Sequence, residues 1–339
     1  FRGCQRDALG VDVGDEFVGP GEDFEPVEDP VDGSTESGGD GLDALGAETT
    51  GGNNVAVGKD ALLVQVAATG NTAVGTTAMD ANTTGANNVA VGLDSLGGNT
   101  IGASNTALGA NALKANTTGD NNTAVGKDAL LVSTITTANT AVGHASMDAT
   151  TTGIDNTAVG KDSLGANTVG VRNVAVGATA AGANTTGTDN IALGATALDA
   201  NTTGVENVAI GTDALGANTI GTWNIAIGDD ALLVNTTGVS NVAIGRDALV
   251  ANTVGDSNVA VGDQALDANT TGIDNIAIGA NALGANTIGT DNIAVGDDTL
   301  LVNTTGINNV AIGGDALTAN TIGTDNVAIG KTALDANTT

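Results

Sequence analysis

The 339-residue sequence contains no Tyr, one Trp, three Phe, three Pro, one Cys and only nine Lys plus Arg. Without aromatic bulk, a core must be built from Val, Ile, Leu and Ala, and it must be thin. A formal net charge of −30 leaves no cationic surface for phosphate. That argues against nucleic acid as a partner, and equally against insertion into or binding to anionic membrane surfaces. No apolar run approaches the roughly 20 residues of a membrane span. The lone Cys4 rules out an intrachain disulfide framework. In FRGC it faintly resembles a lipid-anchor site, but the residues before it fit poorly and an incidental Cys is the plainer reading. The sequence opens on Phe1 with no signal peptide, and is read as processed or as a fragment.

All three Pro and all three Phe lie within the first 30 residues, and residues 1–50 carry fourteen carboxylates against two Arg. The stretch GEDFEPVEDPVDGSTESGGDG reads as extended and unpaired. Residues 1–53 are therefore expected to form an acidic arm. One reading is a solvated linker. The other is a docking arm with Phe17 and Phe24 as anchors, joining the chain to a virion or cell-surface assembly.

From Asn54 the rest is a single array. NVAIGTDALGANTIGTW (207–223) is followed by NIAIGDDALLVNTTGVS (224–240), and Asn recurs every seventeen residues from 54 through 326, giving seventeen starts without a slip. The consensus is N-[VIT]-A-[VIL]-G-x-D-A-L-x-A-N-T-[TI]-G-x-[DN], numbered here as coil positions 1 to 17. A longer rhythm of four units is also present, as in GKDALLV at 58 and 126.

Each unit opens with an alternating strand, Val208 and Ile210 on one face and Ala209 on the other. Gly211 provides a backbone conformation that other residues resist. A second short extended stretch with an inward Leu follows, and Asn-Thr-Thr-Gly or Asn-Thr-Ile-Gly closes the unit as a turn. Helical repeats are disfavoured, because known ones are mostly longer and nearly every unit here carries two or more Gly. The expected fold is all-β, a parallel β-solenoid (β-roll) of 17-residue coils over residues 54–339. Coils stacked about 4.8 Å apart give a rod roughly 80 Å long. A constant interval keeps like residues superposed, and stacked Asn amides then bond up the column. Three aliphatic side chains are expected inside each coil. Ala at positions 3 and 8 is expected to leave smooth faces against which other chains pack.

NTAVG (71–75), NVAVG (88–92) and NIAIG (224–228), followed by an A-L pair or its variants A-M and S-L and by NTTG or NTIG, resemble two groups of repeats. One is the head repeat of YadA-like trimeric autotransporter adhesins; the other is the NTAVGxxAL…NTTG array of phage tail fibres. The resemblance covers residues 54–339. It implies a parallel β-roll, three chains side by side as a homotrimer, and a role in attachment to a host receptor or surface glycan. The adhesin repeat is usually shorter, and tail-fibre arrays often carry Tyr after the motif Gly, where this chain has Lys59, Thr76, Asp229 or Arg246.

Among candidate sites, Asp213, Asp230 and Asp247 stand at position 7 of successive units, where like charges repel unless salt screens them. With 39 acids of which seven are Glu, this points to a halophilic source, and alternatively to a cation column between the carboxylates. Asn82, Asn116, Asn184, Asn201, Asn235, Asn269, Asn303 and Asn337 begin Asn-Thr-Thr sequons, and Asn121 begins another; they are either glycosylation sites or simply the turn. The Thr column at position 13 offers a hydroxyl array, which makes ice binding a rival function. His144 is read as a surface variant. Trp223, alone at a turn, is either a sugar platform or an accident of the surface. No catalytic set or metal cluster is legible. The chain is expected to be an extracellular, non-catalytic fibre without cofactors, the alternative being a stand-alone ice- or glycan-binding rod.

Overall fold

The computed structural model describes residues 38–47 and 50–338. The expectations for Cys4, Phe17 and Phe24 lie outside the described residues. Strands of three residues follow one another at seventeen-residue intervals. They run from β1 (Gly38–Asp40) and β2 (Val55–Val57) through β8 (Thr157–Val159) and β9 (Val174–Val176) to β18 (Val327–Ile329). Each pairs in parallel with the next, Val208 beside Ile225 and Ala209 beside Ala226, so that a single 18-stranded sheet runs the length of the array. The chain is a parallel β-solenoid of 17-residue coils.

Among the described residues the stack begins one coil before Asn54, because Gly38 of β1 already pairs with Val55 of β2. GLDALGA at 41–47 is nearly identical to GTDALGA at 211–217, and Gly41 (φ 132°) and Leu45 (φ 56°) hold the same conformations as Gly211 (136°) and Leu215 (55°). Residues 38–47 therefore belong to the solenoid and not to the arm. The strand of this coil is Gly-Gly-Asp, without the β-branched residues that mark every later one.

Two sequence expectations about the coil are corrected. The first concerns which strand face is inside. Ala209 and Ala214 are fully buried with Leu215, and so are their counterparts in the inner coils, while Ala44, Leu45 and Ala333 at the ends are partly buried and Leu334 is exposed. Val208 and Ile210 point outward and are half-buried. Ala at positions 3 and 8 is thus the core rather than a smooth exterior. A circuit of seventeen residues encloses so little space that its interior holds two methyl groups, one Leu and two Asn. A branched side chain at position 3 would exceed it.

The second correction concerns residues after the Gly. Positions 6 to 11 form successive turns, not an extended stretch. Positions 7, 9 and 17 lie in the left-handed region, as in Asp213 (φ 54°), Leu215 (55°) and Trp223 (60°). Asp and Asn tolerate this region better than other side chains, which explains why they dominate positions 7 and 17. Leu does not, and left-handed geometry costs it about 1–2 kcal/mol. Complete burial of its side chain returns about 1.5–3 kcal/mol, so the corner closes with the Leu inside.

Gly at position 5 is required twice over. Gly211 has φ 136°, and a Cβ there would stand 2.4 Å from the Gly228 carbonyl oxygen of the next coil.

The expected Asn columns are present as two internal ladders. At position 1, the Asn224 amide N–H and Nδ2 both donate to Asn207 Oδ1 (3.1 and 3.2 Å), and Nδ2 also donates to the Gly238 carbonyl at 2.8 Å. At position 12, Asn218 Nδ2 donates to Asn201 Oδ1 (3.0 Å) and to the Gly221 carbonyl (3.1 Å). Buried amides left unpaired would each cost about 1–3 kcal/mol; these ladders answer that demand by stacking.

Candidate interaction faces

With Ala, Leu and Asn inside, three kinds of residue remain outside. Positions 2 and 4 form the outer face of the sheet. From β2 to β18 that face carries no charged residue on a chain of net charge −30. From β9 onward every residue on it is Val, Ile or Leu. Between β2 and β8, Thr72, Thr106, Thr123, Thr140 and Thr157 interrupt it. Ile191, Ile244, Ile278 and Ile312 are 37–40% exposed.

The acidic residues lie mainly on the left-handed corners. Asp213, Asp230 and Asp247 do stand on successive coils. Burial, followed by the charges of Asp247, Asp213 and Asp229, pushes the Asp230 carboxyl above the ordinary range. Asp247 is already paired with Arg246 at 2.9 Å, and Asp213 accepts from the Thr196 hydroxyl. No group of three or more His, Cys, Asp or Glu is placed to hold a metal ion among the described residues, so the expected cation column has no ligand set. At position 10, burial raises the carboxyls of Asp80, Asp148, Asp199 and Asp267. Hydrogen bonds from Thr77 and Lys114 hold Asp94 below the usual range, and one from Lys127 does the same for Asp128. A shallow groove of about 560 Å³ lies where Gly97 and Gly98 omit side chains, with Asp80, Asp94 and Lys114 above an apolar floor of Leu131 and Val132.

Burial favours the turn reading of seven sequons. Asn82, Asn116, Asn184, Asn201, Asn235, Asn269 and Asn303 are 0% exposed. Each Nδ2 donates to the Gly carbonyl three residues on, at 3.0–3.2 Å. A glycan on any of them would have to replace an internal ladder bond. Asn121 is exposed and Asn337 is half-buried, with Nδ2 donating to Asn326 Oδ1 at 3.4 Å.

The Thr column at position 13 is also spent internally, since Thr219 Oγ1 donates to the Thr236 carbonyl at 3.0 Å. The outward neighbours are at position 14, where Thr84, Ile101, Thr118 and Ile135 begin an alternation of hydroxyl and aliphatic side chains. His144 is exposed, its Nδ1 4.0 Å from Asp162 Oδ1. Trp223 is 56% exposed, and its indole Nε1 donates to Glu206 Oε2 at 3.1 Å.

Sequence reasoning missed the uncharged sheet face as an exterior feature, although its signal, Val and Ile alternating with an invariant Ala, was in view. Compared with models of protein families and with curated proteins, the chain matches none.

Proposed function

We propose that the solenoid is the shaft or head of an extracellular attachment fibre, a viral tail fibre or a cell-surface adhesin, in which chains pack side by side as a homotrimer without catalysis. The uncharged aliphatic sheet face carries this reading. Monomeric soluble proteins rarely leave a contiguous apolar strip of such extent in water, and here it runs along a strongly acidic rod. Burying it between identical chains removes apolar area from water while the Asp-bearing corners stay solvated. The acidic arm would join the rod to a larger assembly, leaving the rod to hold a binding surface away from it.

Sedimentation or light scattering of the purified chain is expected to give three times the 32.5 kDa chain mass. Ile227→Lys with Ile244→Lys should yield folded monomers, since both side chains point outward and circular dichroism should not change. A wild-type monomer at micromolar concentration would refute the association. A second reading, a stand-alone ice-binding rod, draws support from position 14, which bears no charge from Thr84 to Ile322. Thermal hysteresis in the purified protein would favour it, and its absence would remove it.

A further inference from the structure

The position-17 column changes character over four coils. Elsewhere it is mostly Asp, Asn or Ser, residues that suit its left-handed backbone. From 172 to 223 it reads Arg172, Asp189, Glu206, Trp223. Arg172 grips Asp189 with two hydrogen bonds, Nε to Oδ1 at 2.6 Å and Nη2 to Oδ2 at 2.7 Å. One coil further, Glu206 holds the Trp223 indole. Two side-chain pairs therefore stand in tandem along the rod axis, and each bridges adjacent coils.

Trp223 is an expensive residue at this place. A bulky side chain at φ 60° is strained, and 56% exposure means that packing does not offset the strain. Its Nε1 bond ties the ring to Glu206, and its backbone N–H donates to the Val205 carbonyl at 3.2 Å. The strip thus presents an oriented aromatic face followed by a carboxylate and an Arg–carboxylate fork. Four coils at about 4.8 Å spacing make it on the order of 14 Å long.

We propose that this strip binds a neutral oligosaccharide of two or three pyranose units, laid along the rod. The apolar face of one sugar ring stacks on Trp223. Its hydroxyls donate to the free oxygen of Glu206, and those of the next unit bond to the Arg172–Asp189 pair. A few fixed polar groups beside an aromatic surface are what orient such ligands. The chain's net charge of −30 disfavours acidic sugars. The site lies on one chain, so it does not depend on the association proposed above.

The chain has one Trp and no Tyr, so intrinsic fluorescence reports on this position alone. Titration of the full chain with cellotriose, maltotriose and chitotriose is expected to give, with at least one, a saturable emission change. Half-saturation should be on the order of 1 mM. Arg172→Ala should weaken that binding about ten-fold. Trp223→Asn should abolish it, read by saturation-transfer NMR, while keeping the melting temperature, because Asn suits the left-handed corner and adds no charge beside Glu206. The proposal is overturned if none of the three sugars gives a saturable change, or if Trp223→Asn binds as well as the wild type. An equal response to tetramethylammonium chloride would also overturn it, by marking the ring as a cation site.

Discussion

Ser133 and Thr136 hydrogen-bond to each other through their hydroxyls, at the two positions that Asn and Gly hold in most coils. The exchange is coupled by space. In the preceding coil a Cβ on Gly119 would lie 2.5 Å from Asn116 Oδ1, so a side chain at position 15 requires the Asn at position 12 to go. The price is paid by neighbouring coils. Asn116 Oδ1 loses the amide that would have donated to it, and Thr150 Oγ1 is also buried without a partner. The Thr134 hydroxyl reaches the Thr151 carbonyl at 3.4 Å, where its equivalents in the central coils span 2.9–3.0 Å.

The rung around 133–136 should therefore be a weak point of the rod. Hydrogen exchange is expected to be faster there than at residues 218–221. Ser133→Asn alone should destabilise by steric conflict with Thr136. Ser133→Asn with Thr136→Gly should restore the ladder and stabilise by about 1–3 kcal/mol. The test is a double-mutant cycle read by exchange and thermal melting; additive single effects would contradict the coupling.

Reversal of the strand faces predicts opposite responses from adjacent residues. Ala226→Val places extra methyl groups inside the coil and should cost about 1–3 kcal/mol. Ile227→Thr changes an outward side chain and should alter stability of the isolated rod by less than about 0.5 kcal/mol. Melting curves of the two variants under conditions that keep chains apart decide the matter.

Asp230 meets a backbone need and an electrostatic penalty at once. Asp230→Asn keeps the left-handed preference and removes the like charge between Asp213 and Asp247, so it should raise the melting temperature at low salt. In molar KCl, where screening length falls to about 3 Å, the gain should shrink and the wild type itself should melt higher. Asp230→Val removes the charge but loses the backbone fit, and should melt below Asp230→Asn at every salt concentration.

The pH response follows from the same carboxylates. Asp80, Asp148, Asp199, Asp230 and Asp267 have pKa values raised in the fold, so the folded rod takes up protons before the unfolded chain does. Their contribution is fully present below the ordinary Asp value of about 3.9 and is lost as pH rises through their higher folded values. Asp94, Asp128 and Asp189 act oppositely, their pKa values being lowered, and they lose stability only as pH falls below the ordinary value. Melting temperature at low salt should therefore rise as pH is lowered from neutral toward the ordinary Asp value of about 3.9. A fall over that interval would contradict the assignment.

Much of the architecture was legible beforehand. An Asn every seventeen residues with no slip requires superposed coils, because one inserted residue would put Asn224 out of line with Asn207 and break a buried ladder. The inward Leu215 and the Gly-bearing corners were readable for the same reason. The first coil was not, because its strand offers Gly-Gly-Asp where the others offer Val-Ala-Ile, even though GLDALGA follows. The functional faces were misjudged where hydrophobicity alone was the guide. Seven sequon Asn, read as either glycosylation sites or simply the turn, are interior ladder residues, and the Thr column at position 13 turns its hydroxyls to the backbone.

What the sequence by itself determined is the repeat: the interval, the parallel stacking and the columns of like residues, since these follow from periodicity. Only the tertiary structure decided which side of each column is inside. Alternation along a strand separates Ala209 from Val208 and Ile210 but cannot rank them. The lumen of a seventeen-residue circuit does, because it is too narrow for anything larger than Ala at that wall, and so the aliphatic pair is turned out to the surface.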